Sequence, residues 1–158
     1  MSAGTAYNLS YSLVKEINDI TRDFRLQSNL KDGKAIPPIV INGYMPTKRK
    51  RDEPEAPVIL IKFDGGNDDL NSNEAVITCD IIIVTTSEDD ESGFFDAVNV
   101  CERIRGHLLS KRIIDNKYQI RGFSWKVPPE KAYPYWMVVA KATYYVHLPQ
   151  DSQFIDRI

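Results

Sequence analysis

Residues that carry chemistry are scarce in this chain. Its 158 residues include two cysteines and two histidines. Two cysteines cannot supply a disulfide framework. Cys79 and Cys101 both fall in apolar segments, where cysteine commonly behaves as a small buried hydrophobe. A bridge between them requires those segments to cross closely, and nothing else points to an oxidising compartment. Cys101 and His107 stand six residues apart on a helical pattern, which puts them on different helix faces and not in one nucleophile–base pair. His147 lies far along the chain on a strand pattern. No phosphate-binding glycine pattern occurs, so Gly65-Gly66 reads as a flexible turn. No apolar run reaches about 18 residues, and no charged-then-apolar leader is present. A soluble protein made in the cytosol is expected. A net charge of -2 exerts no overall pull on nucleic acid or anionic membrane.

What is present is ordinary globular composition, 42% hydrophobic and 27% charged, in a chain long enough to bury roughly 70% of its unfolded surface. One domain over 1–158 is expected, with 1–6 and 149–158 as flexible or partner-ordered ends. The organising stretch is Ala75 to Leu109. Its first part, Ala75 to Thr85, is dense in β-branched residues suited to a pleated surface. An acidic turn follows, and then Phe94, Ala97, Val98, Cys101, Ile104 and Leu108 recur at helical steps. The segment reads as a central strand followed by an amphipathic helix that must lay its stripe on a sheet.

Upstream, Leu9, Leu13, Ile17, Ile20 and Phe24 predict a helix from Tyr7 to about Asn29, capped by Thr5 or Asn8 and stopped by Lys31-Asp32-Gly33. Ile36 to Tyr44 reads as a strand entered through Pro37 and Pro38. Val58 to Phe63 reads as a second strand. The connections 45–57 and 64–74 suggest long tips on an antiparallel meander of three strands. Downstream, Asp115-Asn116 turns the chain into a strand from Tyr118 to Val127. There Phe123, Trp125 and Val127 share a face and Ile120 takes the other. The loop 128–134 leads into a last strand, Tyr135 to Leu148, whose apolar face is Trp136, Val138, Ala140, Ala142, Tyr144 and Val146. The order α-β-β-β-α-β-β predicts an α+β two-layer domain: a mostly antiparallel or mixed sheet of about five strands with two helices packed on it.

Three clusters are candidate sites. Glu88-Asp89-Asp90-Glu91, with Asp64, Asp68 and Asp69, could offer carboxylates to a divalent cation, but neither spacing matches a calcium loop. Their plainer role is as solvated turns, the first favouring a helix N-terminus through its dipole. Lys48-Arg49-Lys50-Arg51 could meet phosphate or a partner, although Asp52, Glu53 and Glu55 make the loop zwitterionic. The aromatic group has Trp125 and Trp136 expected in the core and the tyrosines at its rim.

Several segments together resemble a known family: the N-terminal helix, Pro37-Pro38-Ile39-Val40, Pro57-Val58-Ile59-Leu60-Ile61, the charged loops, Phe94-Phe95-Asp96-Ala97-Val98 and Tyr135-Trp136-Met137-Val138-Val139. From about Leu9 to Leu148 the chain resembles the tail terminator (tail completion) proteins of long-tailed, siphovirus-like bacteriophages. The resemblance implies a virion protein at the head-proximal end of the tail, assembled in the host cytoplasm. It implies a hexameric ring that caps the tail tube, stops its growth and docks to the head connector, with double-stranded DNA passing through. No enzymatic activity and no cofactor come with it, and no membrane or sequence-specific DNA binding. A ring subunit needs free sheet borders and loops. Candidate partner contacts are therefore Ile39, Val58, Lys48, Arg49, Lys50, Arg51, Asp68 and Asp69. Candidate acidic channel lining is Asp64, Asp68, Asp69, Glu88, Asp89 and Asp90, where like charge would keep DNA from sticking. Rival readings are a head-closure or minor tail subunit, a metal-dependent hydrolase using the two carboxylate clusters, and an adaptor domain.

Overall fold

In a computed structural model, residues 4–30, 32–46 and 55–148 are described. The first helix, α1, spans Ala6–Thr21, and the Thr5 side chain accepts from the Asn8 N–H at 3.1 Å to cap it. Leu9, Leu13 and Ile17 are fully buried, as their spacing predicts. The helix ends well short of Asn29. Thr21 donates its hydroxyl back to the Ile17 carbonyl at 2.7 Å, and Leu26 leaves the helix to bridge Ile36. Phe24 lies beneath the Arg103 guanidinium at 4.6 Å. Tertiary partners therefore override the continuing helical stripe.

Among the described residues six strands follow: β1 (Ile39–Asn42), β2 (Val58–Asp69), β3 (Glu74–Thr86), then after helix α2 (Phe94–Lys111) come β4 (Ile113–Ile114), β5 (Tyr118–Lys126) and β6 (Tyr135–His147). They form one mixed sheet in the order β1-β2-β3-β6-β5-β4. The expected α+β architecture is present, with six strands where about five were expected. The additional strand, β4, is only two residues long and carries no period to read. The predicted meander is also corrected, because β1 runs parallel to β2. Parallel neighbours need a long return connection, and 43–57 supplies it.

Burial alternates along β3 as far as Thr85 and throughout β6. Both helices lie on the same side, α1 against β1 and β2, α2 against β3, β5 and β6, and they touch each other. Ile59, Ile61, Ile81, Ile83, Val138 and Ala140 form the buried side of the sheet beneath them. No helix among the described residues is long and apolar enough to cross a membrane. Cys79 and Cys101 are free, buried thiols, pushed by burial up to about 12 and about 11.

The helices are tied by Glu16 of α1, which accepts from His107 Nε2 at 2.6 Å and from the Lys111 ammonium, both on α2. Burial by itself would raise the Glu16 carboxyl. The hydrogen bonds from Lys111 and His107 outweigh it and hold the group below its ordinary 4.5. A depressed folded value adds stability that is full above the unfolded value and is lost as pH falls through the folded one. Glu16→Gln should therefore lower the urea-unfolding free energy by about 1–3 kcal/mol at neutral pH. The deficit should shrink as pH drops below the ordinary glutamate range. An equal deficit at neutral pH and near pH 3 would contradict this account.

Candidate functional site

Among the described residues, two borders and one face of the sheet have no cover. On the first border β1 shields only Val58 to Ile61 of β2. Beyond it, Asp64 to Asp69 continue as strand, paired to β3 through Asp69↔Glu74, with every one of these residues exposed. This corrects the expectation of a flexible loop over 64–74. The tip is a tight turn in which Asp69 accepts from the Asn71 and Ser72 N–H groups, lowering its carboxyl from the usual range. Leu70 stands 86% exposed at that tip.

On the opposite border β4 pairs only with Tyr118 and Gln119 of β5. The rest of β5, from Arg121 to Lys126, has β6 on one side and, among the described residues, no strand on the other. A bulge between Ile120 and Gly122 shifts the register by one residue. It returns Phe123 and Trp125 to the same face as Ile120, opposite Ala142 and Ala140, where alternation alone predicts opposite faces. Trp125 is 41% exposed, which overturns its expected place in the core, because β5 runs past the cover of α2. Trp136 is buried as expected. Tyr144, by contrast, is fully buried and not at a rim, and Tyr118 is fully buried as well.

The uncovered face is zoned. Towards the start of β6 it is apolar, with Leu60, Ile82, Val84, Met137 and Val139 only partly shielded. Its middle carries Lys141, whose ammonium lies 2.7 Å from Asp64 and 3.1 Å from Asp80. Those hydrogen bonds, Asp64 first, hold the lysine above its usual range. Further along, the Arg121 guanidinium stacks 4.0 Å over Tyr145 and reaches Glu74 at 3.3 Å. Under the β5–β6 loop, Phe94, Val127, Pro128, Trp136 and Met137 help line a cleft of about 490 Å³, with Asp90 and Lys131 among its lining residues. That volume falls within the range of small-ligand pockets, roughly 300–1,000 Å³.

The sequence candidates distribute unevenly over these features. Ile39 sits on the outer strand at the first border. Val58 does not, since it lies between Ile39 and Val84 and is 1% exposed. Its partner-contact role is corrected by the parallel strand that covers it. Asp68 and Asp69 lie on the free part of β2. Lys48, Arg49, Lys50 and Arg51 lie outside the described residues. The acidic candidates do not converge. Asp68 and Asp69 flank the start of β3, and Glu88, Asp89 and Asp90 follow its end. Thirteen residues of strand separate them, about 40 Å at the usual rise. Asp89 closes a turn by accepting from the Glu91 and Ser92 N–H groups at 3.0 Å, and it is lowered by Ser92 and then Glu91. Among the described residues no group of three or more acidic, cysteine or histidine side chains is placed to hold a metal. The hydrolase reading required these two carboxylate clusters in one place.

The residues missed by sequence reading are Asn67, Gly66 and Ser124, which have no apolar or charged signature. Only the position of the neighbouring strands identifies them as border residues. These features define a class, an α+β domain built on an open mixed sheet with two free borders. No protein-family model matches the chain, and no curated protein matches it.

Proposed function

We propose that the chain is the subunit of a ring that caps the finished tail tube of a long-tailed bacteriophage. The ring ends tube growth and presents the surface that joins the head connector, and double-stranded DNA passes through its bore. The observation that supports this reading most directly is the pair of free strand borders on opposite sides of one sheet. An isologous dimer uses one patch twice, whereas a ring needs two different patches on each copy. The resemblance of Leu9 to Leu148 to tail terminator proteins supplies the number six, the tube protein and the connector as partners, and the virion as location. On this reading the protein has no enzymatic activity and takes no cofactor.

The separation of the acidic residues refines the channel idea. With the strands running along the bore, Asp68 and Asp69 would form one acidic belt, and Glu88, Asp89 and Asp90 a second. Asp64, paired with Lys141, contributes little to either. A second reading, a head-closure or minor tail subunit, draws on the same borders and differs only in where the ring sits.

Negative-stain microscopy of the purified protein, with and without tail tubes, separates these. Six-fold rings seated at one end of the tube are expected. Rings that leave tubes bare and bind connectors instead would favour the second reading. Monomers under both conditions would reject both.

A further inference from the structure

The two free borders match each other in backbone, charge and shape. On β2 the carbonyls of Pro57 and Ile61 accept from Ile39 and Gly43 on the β1 side. Alternate residues therefore aim their polar groups outward. Across the bulge between Phe63 and Gly65, that alternation leaves Gly66 and Asp68 as the outward residues. On β5 the Ile120 N–H donates to the Arg112 carbonyl on the β4 side. Past its own bulge, the outward residues become Phe123 and Trp125. Both sets place their side chains on the helix-covered side of the sheet, since Gly66 pairs with Ile77 and Trp125 with Ala140.

We propose that copies of this chain join head to tail by strand addition, the free part of β2 pairing antiparallel with the free part of β5 of the next copy, Gly66 opposite Trp125. The proposal rests on the ring reading and names the interface within it. In this register Asp68 lies opposite Phe123 and Asn67 opposite Ser124. The exposed indole of Trp125 then covers a residue with no side chain. An aromatic laid over a cross-strand glycine is a recognised way to stabilise a sheet at such a position. A side chain at Gly66 would be crowded, because a Cβ there would stand 3.0 Å from the Val76 carbonyl.

Charge selects this pairing over the symmetric ones. The β2 stretch carries Asp64, Asp68 and Asp69 and no cation, and the β5 stretch carries Arg121 and Lys126 and no carboxylate. Lys126 makes no ion pair among the described residues, and in the proposed register it comes beside Asp64. Two β2 borders facing each other would instead oppose like charges. The offset also suits a closed assembly. Gly122 is level with Thr78 through Thr143, whereas its proposed partner Asp69 is level with Glu74. Each junction therefore steps the next copy by four residues along the strand. Such a stagger is what a closed ring of tilted strands requires.

The test is a cysteine pair at Asn67 and Ser124. The two would face each other as a non-hydrogen-bonded pair with Cα atoms about 4.5 Å apart, close enough for a disulfide. Both sites are exposed on the uncovered face, and the native Cys79 and Cys101 are buried. Oxidising the Asn67→Cys, Ser124→Cys double variant should give a ladder of covalent oligomers ending at the ring number. Either single variant should stay unlinked. Dimers from a single variant, or a wild-type ring with no ladder, would overturn the proposal.

Asp68→Pro and Trp125→Pro give an independent readout, because each removes an outward N–H, together with the Asp68 carboxylate or the Trp125 indole at the junction, and spares the N–H groups that pair with β3 and β6. Each should keep the parent melting curve and lose the ring, and mixing the two should yield heterodimers through the one border each retains. Rings from both proline variants would reject the interface and leave the ring reading standing. A wild-type chain that is monomeric both alone and on tail tubes, with no ladder, would reject the two together.

Discussion

Ile81→Ala is expected to cost about 4 kcal/mol, within the range of about 2–5 measured for emptying a buried aliphatic site. Ile81 lies at the middle of the central strand and is fully buried. Its cross-strand neighbours on the covered face are Ile61 and Ala140. Strand ladders hold these neighbours on both sides, and Ala140 is too small to fill the space. The site therefore cannot collapse, and the cavity cost adds to the lost transfer energy. Against a total stability of about 5–15 kcal/mol, that is a large fraction. Urea unfolding should show a lower midpoint with unchanged slope. Ile82→Ala, one residue along and on the uncovered face, should cost about 1 kcal/mol or less, as a partly exposed site does. Similar losses at the two positions would contradict a core confined to one side of the sheet.

Which parts of this fold could be read in advance follows from which forces are local. β3 and β6 were legible almost to the residue, because their alternation records burial directly. So was α2, whose stripe of Ala97, Cys101, Ile104 and Leu108 is buried. The far half of β2 was not. Gly65, Gly66, Asn67, Asp68 and Asp69 disfavour strand locally, and the pairing with β3 imposes it on them. The direction of β1 was illegible for a different reason, since the same alternation serves parallel and antiparallel neighbours. A one-residue bulge in β5 was enough to reverse the relation between Ile120 and Trp125. For the candidate site, the charges could be found but not their distances. The strand predicted over Ala75 to Thr85 already lies between 64–69 and 88–91, but the composition of the two clusters does not tell that 64–69 extends as strand paired with it. The free borders exist only through what fails to cover them, which no residue in the border itself encodes.

Gly93→Ala is the second substitution with a large expected effect, and it acts by crowding. Gly93 precedes α2 with φ -58, a conformation any residue adopts. Its requirement for glycine is therefore one of space. A Cβ there would lie 2.5 Å from the Asp89 carbonyl and 2.5 Å from Trp136 Nε1. Neither neighbour yields cheaply. The Asp89 carbonyl accepts the Gly93 N–H at 3.0 Å within the turn, and the Trp136 indole donates to the Ser87 carbonyl at 3.1 Å. Relieving the clash must open the turn or break the indole hydrogen bond. Overpacking of about 1–3 kcal/mol and a lost hydrogen bond of about 1 kcal/mol combine to about 2–4 kcal/mol. For a domain of this size that lowers Tm by roughly 4–16 °C. Tryptophan fluorescence should shift to the red as Trp136 gains water. If the indole is the obstacle, the same substitution in a Trp136→Phe background should cost measurably less, since contacting sites couple. A Gly93→Ala protein with parental Tm and emission would show that the turn and the indole do not meet as described. Equal cost in both backgrounds would place the obstacle at the Asp89 carbonyl alone.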